Sequence, residues 1–229
     1  MNNSFVLKGN ICQTITSKEL DLHENAFAVC VDGVSKGVFD ILPEEYTDLP
    51  LWDHGDALIF PGMVDLHVHA PQYAFRGMCM DLELMDWLNR YTFPEEEKYE
   101  DLEYAKKAYG LFVDALKNSA TTRACIFATC HRPATELLME LMEESGLVSF
   151  VGKVNMDREA SPALTEASAD ISAYTTFGWI NAVRDKFRNT MTILTPRFIP
   201  CCTDQLMEEL RQIQMAYGIP VQSHLSESK

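Results

Sequence analysis

The spacing of apolar residues along the chain changes character near residue 60. Before this point, short apolar runs at residues 26–31 and 38–41 are separated by turn-forming residues. Short runs bounded by turn formers are typical of β-strands rather than helices. The pattern therefore predicts a small N-terminal β-rich subdomain, a partial β-sandwich, over residues 1–60.

Beyond Pro61 and Gly62, which break the chain, strand-like and helix-like segments alternate. The strands are apolar runs, and the helices show apolar residues three and four positions apart. Proline near a helix start and glycine past a helix end set several boundaries. Strands are predicted at residues 63–69, 121–127, 148–154, 191–195 and 220–224, and helices at residues 102–116, 133–145, 165–187 and 203–217.

About five β units separated by helices indicate a parallel α/β sheet. A closed (β/α)8 barrel typically needs about 250 residues, and the part of the chain after Gly62 falls well short of that length. We therefore predict an α/β fold in which residues 61–229 form an incomplete (β/α)8 TIM-like barrel of about five βα units. Sites in such folds lie at the carboxyl ends of the strands.

The composition disfavours several classes of protein. The chain has 229 residues, of which 47% are hydrophobic, and its formal net charge of −15 disfavours binding to a nucleic acid polymer. It contains neither an apolar run of about 18 residues nor a signal peptide, so no membrane association is predicted. The seven cysteines form no C-x-x-C pair, which favours free thiols and a cytoplasmic location.

Two histidines end the first strand of the predicted barrel. Residues i and i+2 of a strand point to the same face, so His67 and His69 can direct both imidazoles to one point. His224 ends another strand-like segment and can supply a third imidazole. The spacing predicts a metal site that activates water, and Asp65 can orient one of its ligands. The alternative is that these histidines serve only packing or the surface.

Polar residues near these histidines are candidates for holding a substrate. Arg197 follows a strand end and Phe198 comes next, so a guanidinium can fork onto a polar ring edge while the phenyl ring stacks on the ring face. Gln72, just beyond the first strand, offers a donor and an acceptor. Glu227, near the last histidine, can shuttle protons. Each of these residues also fits an ordinary surface position.

The motifs of other hydrolases are missing from the sequence. The His-x-Glu and Pro-Cys-x-x-Cys pattern of cytidine-type deaminases does not occur, and residues 200–204 have the wrong spacing for it. There is also no H-E-x-x-H, no P-loop and no G-x-S-x-G. The histidines at the strand ends are therefore the candidate catalytic site.

Several segments together resemble a known family. Residues 61–69 are similar to the first-strand metal motif of the amidohydrolase superfamily, and residues 70–77 resemble, more narrowly, the guanine deaminases within it. Further similar segments are residues 88–94, 150–157, 195–198 and 222–227. The resemblance covers most of the chain after Pro61, whereas the first sixty residues resemble the family only loosely.

The resemblance implies a zinc-dependent hydrolytic deamination of guanine to xanthine and ammonia. It implies one Zn2+ ion, with Fe2+ as the alternative, and its ligands are His67, His69 and His224. Glu227 matches the residue that moves protons to and from the purine ring. The residues that match those holding the base are Gln72, Arg197 and Phe198. The implied partners are a small-molecule purine and a second copy of the chain in a homodimer.

In this family, a histidine from the sixth strand and an aspartate from the eighth complete the site. Neither has a counterpart before Lys229, so the resemblance implies an incomplete form, and we expect little turnover from the chain alone. Two alternatives stay open. The chain is a related deaminase or dehalogenase acting on another purine, a pterin or a triazine, or it is an inactive fragment or one subunit of a split enzyme.

Overall fold

The computed structural model describes residues 3–226. The chain divides into two compact units, Met1–Gly62 and Met63–Lys229. Within the described residues, the first unit forms one four-stranded sheet in the order β3-β2-β1-β4, instead of the partial β-sandwich that the sequence predicts. Its strands are β1 (Phe5–Thr16), β2 (Glu19–Val31), β3 (Val34–Phe39) and β4 (Leu51–Ile59).

The sheet of the first unit is mixed. β1 and β3 run antiparallel to β2, and β4 runs parallel to β1. Val6 of β1 pairs with Val29 of β2, and both side chains are buried. β-branched residues favour a pleated, half-buried surface, so this pair anchors the sheet at its centre.

A half-buried histidine of this sheet lies between two carboxylates. His23 Nδ1 is 2.7 Å from Asp40 Oδ1, and His23 Nε2 is 3.0 Å from Asp21 Oδ2. The hydrogen bond to Asp40, followed by that to Asp21, raises the pKa of His23 above its usual value of 6.5. The charged imidazole therefore stabilises the folded unit fully at pH values below the usual pKa of 6.5. This stabilisation is lost as the pH rises through the raised pKa of the folded state.

We expect an NMR titration of the His23 ring to give a pKa above 6.5. The variant D40N removes the larger of the two causes, so its His23 pKa should fall below that of the unchanged chain. A value at or below 6.5 that D40N leaves unaltered would contradict the interaction.

The second unit alternates strands and helices. Its strands are β5 (Met63–His69), β6 (Thr121–Phe127), β7 (Val148–Gly152), β8 (Val154–Asn155), β9 (Thr190–Thr192) and β10 (Thr195–Pro196). Its α-helices are α1 (Leu84–Trp87), α2 (Phe93–Glu97), α3 (Leu102–Lys117), α4 (Arg132–Ser145), α5 (Ala169–Val183) and α6 (Asp204–Tyr217). Short 3-10 or π turns occupy Pro71–Phe75, Leu88–Thr92, Lys98–Glu100 and Ile199–Cys201.

The strands of the second unit are parallel and follow the order of the chain. β5, β6, β7 and β9 form one sheet, and β8 pairs with β10. Helices connect β5 to β6, β6 to β7 and β8 to β9, and α6 follows β10, which is the winding of a βα barrel. The predicted α/β fold, an incomplete (β/α)8 TIM-like barrel, is therefore confirmed.

The longer helices begin and end at residues that satisfy their terminal backbone groups. Asp101, Ser168 and Thr203 accept N-terminal N–H groups of α3, α5 and α6. Gly146 and Gly218 end α4 and α6 with φ values of 79° and 65°, a left-handed conformation that glycine adopts without steric cost. The cap at Ser168 makes α5 shorter than the predicted helix over residues 165–187.

Two predicted strands are interrupted in the structure. The run over residues 148–154 divides into β7 and β8 at Lys153, whose buried ammonium lies 2.6 Å from Glu166 Oε1. The run over residues 191–195 divides into β9, which pairs with β7, and β10, which pairs with β8. A change of partner within a run ends one ladder and begins another.

The predicted strand at residues 220–224 forms only isolated bridges. One joins Leu194 to Val221, and the other joins Phe198 to His224. The opposing strand β10 is two residues long, so no continuous ladder can form. The bridges nevertheless fix this segment beside β10.

A close backbone approach joins β7 to β10. A Cβ atom on Gly152 would lie 1.7 Å from Thr195 Oγ1 and 2.8 Å from the Ile193 carbonyl oxygen. Overpacking of a buried site typically costs about 1–3 kcal/mol. We expect G152A to lower the free energy of unfolding by at least that amount in urea denaturation.

The matched control for this substitution is Gly110, within α3. A Cβ atom there meets no atom of the described residues within 4 Å. Alanine in the middle of a helix is more stabilising than glycine by roughly 0.5–1 kcal/mol. We therefore expect G110A to raise the free energy of unfolding. A G152A variant as stable as the unchanged chain would show that the two strands do not approach this closely.

None of the helices in residues 3–226 combines the length and apolar character needed to cross a membrane. The seven cysteines lie as free thiols. Cys201 and Cys202 are buried, and their sulfur atoms contact the carbonyl oxygens of Glu159 and Asn155.

Candidate metal centre

His67 and His69 lie at the carboxyl end of β5. The register with β6 places His69 opposite Phe127, the last residue of that strand. Asp65 Oδ1 accepts a hydrogen bond from the backbone N–H of His67 at 3.0 Å. Asp65 therefore orients the backbone that carries His67. From the sequence, its carboxylate was expected to orient the ring of a metal-binding histidine.

His224 reaches the same point from the segment after α6. Its backbone N–H donates to the carbonyl oxygen of Arg197 at 3.0 Å, and its Nδ1 lies 2.6 Å from that oxygen. A carbonyl oxygen only accepts hydrogen bonds, so His224 Nδ1 carries the proton. The other ring nitrogen, Nε2, therefore keeps the lone pair that a metal requires.

The three imidazoles converge. One ring nitrogen from each of His67, His69 and His224 lies within 4.8 Å of the others, and this trio is the cluster within residues 3–226 that has the donors and spacing to hold a metal ion. The Nε2 atoms of His69 and His224 are 2.9 Å apart. Ring centroids are separated by 4.7 to 5.2 Å. The structure thus brings together the three histidines that the sequence singles out.

The surroundings keep His69 neutral. Burial, followed by the positive charge of Arg197, holds the pKa of His69 well below its usual value of 6.5. A neutral imidazole is the form that binds a metal. Three imidazole nitrogens fit Zn2+, which accepts three histidine ligands and an open position, and imidazole is also a good ligand for iron.

Phe127 packs against all three imidazoles. Its ring stacks on His69 with centroids 4.5 Å apart, and the centroids of His67 and His224 lie 4.9 and 4.6 Å from it. Phe127 is fully buried. Phe127 was not predicted from the sequence, because only the register of β5 and β6 places it against the imidazoles.

Gln72 lies in the turn after β5, next to a histidine. Its Nε2 is 3.2 Å from His69 Nδ1. The amide group therefore contacts a candidate ligand of the metal, on the ring nitrogen that faces away from His224. This contact orients the His69 ring, and when the amide presents its oxygen to Nδ1–H, the lone pair of His69 lies on Nε2.

Arg197 follows β10 and is almost fully buried. Its Nη1 lies 2.6 Å from Glu96 Oε2, and both side chains are at most 2% exposed. Its guanidinium lies over the ring of Phe93, 5.2 Å from the centroid. Arg197 was predicted from the sequence, whereas Glu96, which is 101 residues away in the chain, was not.

A cavity of about 530 Å³ opens beside the three histidines. Its polar lining includes Gln72 and Arg197, and aromatic or apolar side chains form much of the remaining wall. Such a mixture suits a small ring-shaped molecule with a few polar edges. The apolar and aromatic members are Val68, Tyr73, Met80, Trp87, Leu88 and Phe112.

Among the predicted site residues that the structure describes, Phe198 is not placed beside this cavity. Its buried ring packs instead in a core cluster with Leu88 and Phe93. The extended backbone of Phe198, which bridges to His224, directs the side chain into that core. Glu227 lies outside the described residues.

Parallel strands with three converging imidazoles at their carboxyl ends, beside a cavity, define a candidate metal-dependent hydrolase of the barrel type. A comparison with family models agrees, because the model of the amidohydrolase family matches residues 58–229. The chain belongs to the amidohydrolase family.

Individual proteins and a solved structure that are similar to the chain carry a more specific name than the family. Guanine deaminase of Dictyostelium discoideum is 40% identical over 178 residues, covering 77% of this chain and 39% of its own length. Guanine deaminase of Rattus norvegicus is 38% identical over 170 residues, which cover 74% of this chain and 37% of that protein's length. The crystal structure of guanine deaminase from C. acetobutylicum with bound guanine matches with a TM-score of 0.93 at 42% identity, covering 98% of this chain and 53% of that one. The chain thus spans about two fifths of these curated relatives and about half of that structure.

Proposed function

We propose that the chain carries the guanine-binding and metal-binding part of a zinc-dependent enzyme that converts guanine and water to xanthine and ammonia, within purine metabolism. The observation that carries the proposal is the convergence of three imidazoles within 4.8 Å, beside a cavity lined by Arg197 and Gln72. The relatives named guanine deaminases supply the substrate class.

His67, His69 and His224 would hold one zinc ion, or Fe2+ as the alternative. In such a site, a bound zinc ion lowers the pKa of water towards about 7 and thereby makes a nucleophile available at neutral pH. Two features of the protein favour the forms of His224 and His69 that bind a metal. His224 is fixed as the tautomer with a lone pair on Nε2, and the pKa of His69 is held low by burial and by Arg197.

Arg197 and Gln72 would hold the polar edges of the guanine base. The guanidinium donates in a planar fork, and the amide both donates and accepts. A base lacking those polar groups would leave the donors of Arg197, a buried side chain, unpaired, which disfavours it. Phe198 remains a prediction as a stacking surface, and the side chains of the cavity wall, such as Trp87, offer that surface more directly.

Glu227 would act as the proton carrier. It comes three residues after His224 in the sequence. In the proposed reaction, it gives a proton to the ring nitrogen next to the carbon that bears the amino group. The oxygen of the attacking water bonds to that carbon, the bond between the carbon and the amino nitrogen breaks, and the amino group leaves as ammonia with the other proton of the water. Guanine and water are thereby converted to xanthine and ammonia.

One observation favours a role that depends on a further segment. β5 pairs with β6 on one side within its described sheet, and three of its apolar side chains are exposed: Met63 by 54%, Val64 by 51% and Leu66 by 72%. An exposed, apolar strand edge is a surface that another strand commonly covers. We therefore propose that turnover by the chain alone is low and rises when the rest of the relatives' length is supplied.

The test measures guanine loss by absorbance and ammonia release. It uses the zinc-loaded chain, and the same chain extended through the rest of the relatives' length. We expect guanine to be the preferred substrate, with the extended protein more active. If adenine, pterins or triazines react as fast as guanine, the chain is a related deaminase or dehalogenase instead. If neither protein releases ammonia from any of them, the proposed activity is wrong. The homodimer and the cytoplasmic location stay predictions.

A further inference from the structure

A buried ion pair connects the cavity to a distant part of the chain. Glu96 belongs to the short helix α2, and Arg197 follows β10. Their side chains are 1% and 2% exposed, and Oε2 of the first lies 2.6 Å from Nη1 of the second. Removing two charges from water is costly unless they face each other at this distance, so each group depends on the other.

The geometry around the pair shows what the carboxylate fixes. The backbone N–H of Arg197 donates to the carbonyl oxygen of Asn155 at 3.2 Å, and the carbonyl oxygen of Arg197 accepts from His224. These contacts hold the backbone but leave the direction of the long side chain to be set elsewhere. Within residues 3–226, Glu96 Oε1 has no hydrogen-bond partner, so the carboxylate is committed to Arg197 through Oε2.

We propose that Glu96 is a positioning residue for substrate selection, and this inference rests on the proposed function. It holds the guanidinium of Arg197 at the cavity wall so that the planar fork meets the oxygen-bearing edge of guanine. A guanidinium has five N–H donors in a fixed plane. When Nη1 is anchored by a carboxylate, the plane of the fork, and with it the direction of the other donors, is fixed.

The consequence is a preference between purines. Guanine carries an acceptor oxygen at the ring position where adenine carries a donor amino group. An arginine held in a fixed plane donates to the oxygen of guanine. With adenine, its N–H groups face an amino group that also donates, so no hydrogen bond forms. A guanidinium that can rotate loses this discrimination without losing its charge. Glu96 would therefore act on the choice of base rather than on the metal.

The experiment measures the affinities of the zinc-loaded chain for radiolabelled guanine and adenine by equilibrium dialysis. Retained purines are separated by chromatography, so that any product is counted apart. E96Q removes the charge and keeps an acceptor, and E96D keeps the charge and withdraws it by one methylene. The matched control is E95Q, because Glu95 is also buried in α2 but bonds Tyr104 and Lys98 instead.

We expect the unchanged chain and E95Q to prefer guanine, and E96Q and E96D to lose roughly tenfold or more of that preference at unaltered zinc content. The ratio of affinities is not moved by a general loss of stability. If both Glu96 variants keep the preference, or if E95Q loses it equally, Glu96 has no positioning role. If the unchanged chain binds zinc but does not prefer guanine, the proposed substrate is wrong and the inference falls with it.

Discussion

Replacing His224 with alanine is expected to weaken zinc binding by the chain on the order of 100-fold. Apparent binding free energies of structural zinc are about 10–16 kcal/mol, which corresponds to roughly 3 kcal/mol for each of four ligands. His224 is the ligand that enters from the segment after α6, and its Nε2 lies 2.9 Å from that of His69. Loss of this ring leaves only the two imidazoles of β5.

The measurement is a competition titration against a zinc chelator of known affinity. The control is H54A, because His54 is an exposed residue of β4 and belongs to the first unit. H54A should bind zinc as the unchanged chain does. Equal zinc affinity in H224A and H54A would mean that the three histidines do not act together.

Replacing Arg197 with methionine is expected to lower the free energy of unfolding by about 3–5 kcal/mol. Removing one member of a buried ion pair leaves an uncompensated charge, and measured costs are of this size. Glu96 would be that charge, because it is 1% exposed and its ion-pair partner at 2.6 Å would be gone. Urea denaturation of R197M measures the loss.

The double variant R197M/E96L separates the charge effect from packing. An apolar pair of similar volume is often as stable as the buried ion pair that it replaces, so the double variant should recover most of the lost stability. A single variant within about 1 kcal/mol of the unchanged chain would show that the pair is more hydrated than its burial implies.

Local sequence signals were sufficient for much of the fold and for part of the site. The bounds of β6 and the ends of α4 and α6 follow from apolar runs and from capping residues such as Gly146 and Gly218. The two-residue spacing of His67 and His69 needs only the period of a strand. These features depend on contacts within a few residues, which a sequence displays directly.

Features that depend on distant contacts were not predictable from the sequence. Glu96 stands in a run of three glutamates, and nothing in that run indicates which one faces Arg197. Phe127 reads as an ordinary apolar residue until the register of β5 and β6 places it against three imidazoles. Phe198 was expected to face a substrate, but its backbone directs the ring into the core. In each case, tertiary packing decides the role.

X-ray absorption at the zinc edge of the loaded chain measures whether three imidazoles share one metal ion. We expect a first shell of nitrogen at about 2.0–2.1 Å, with the outer-shell scattering of three imidazole rings, at one zinc per chain. In H224A, the ring scattering should fall to two. A shell made of oxygen without ring scattering, or identical spectra from both proteins, would contradict a shared metal centre.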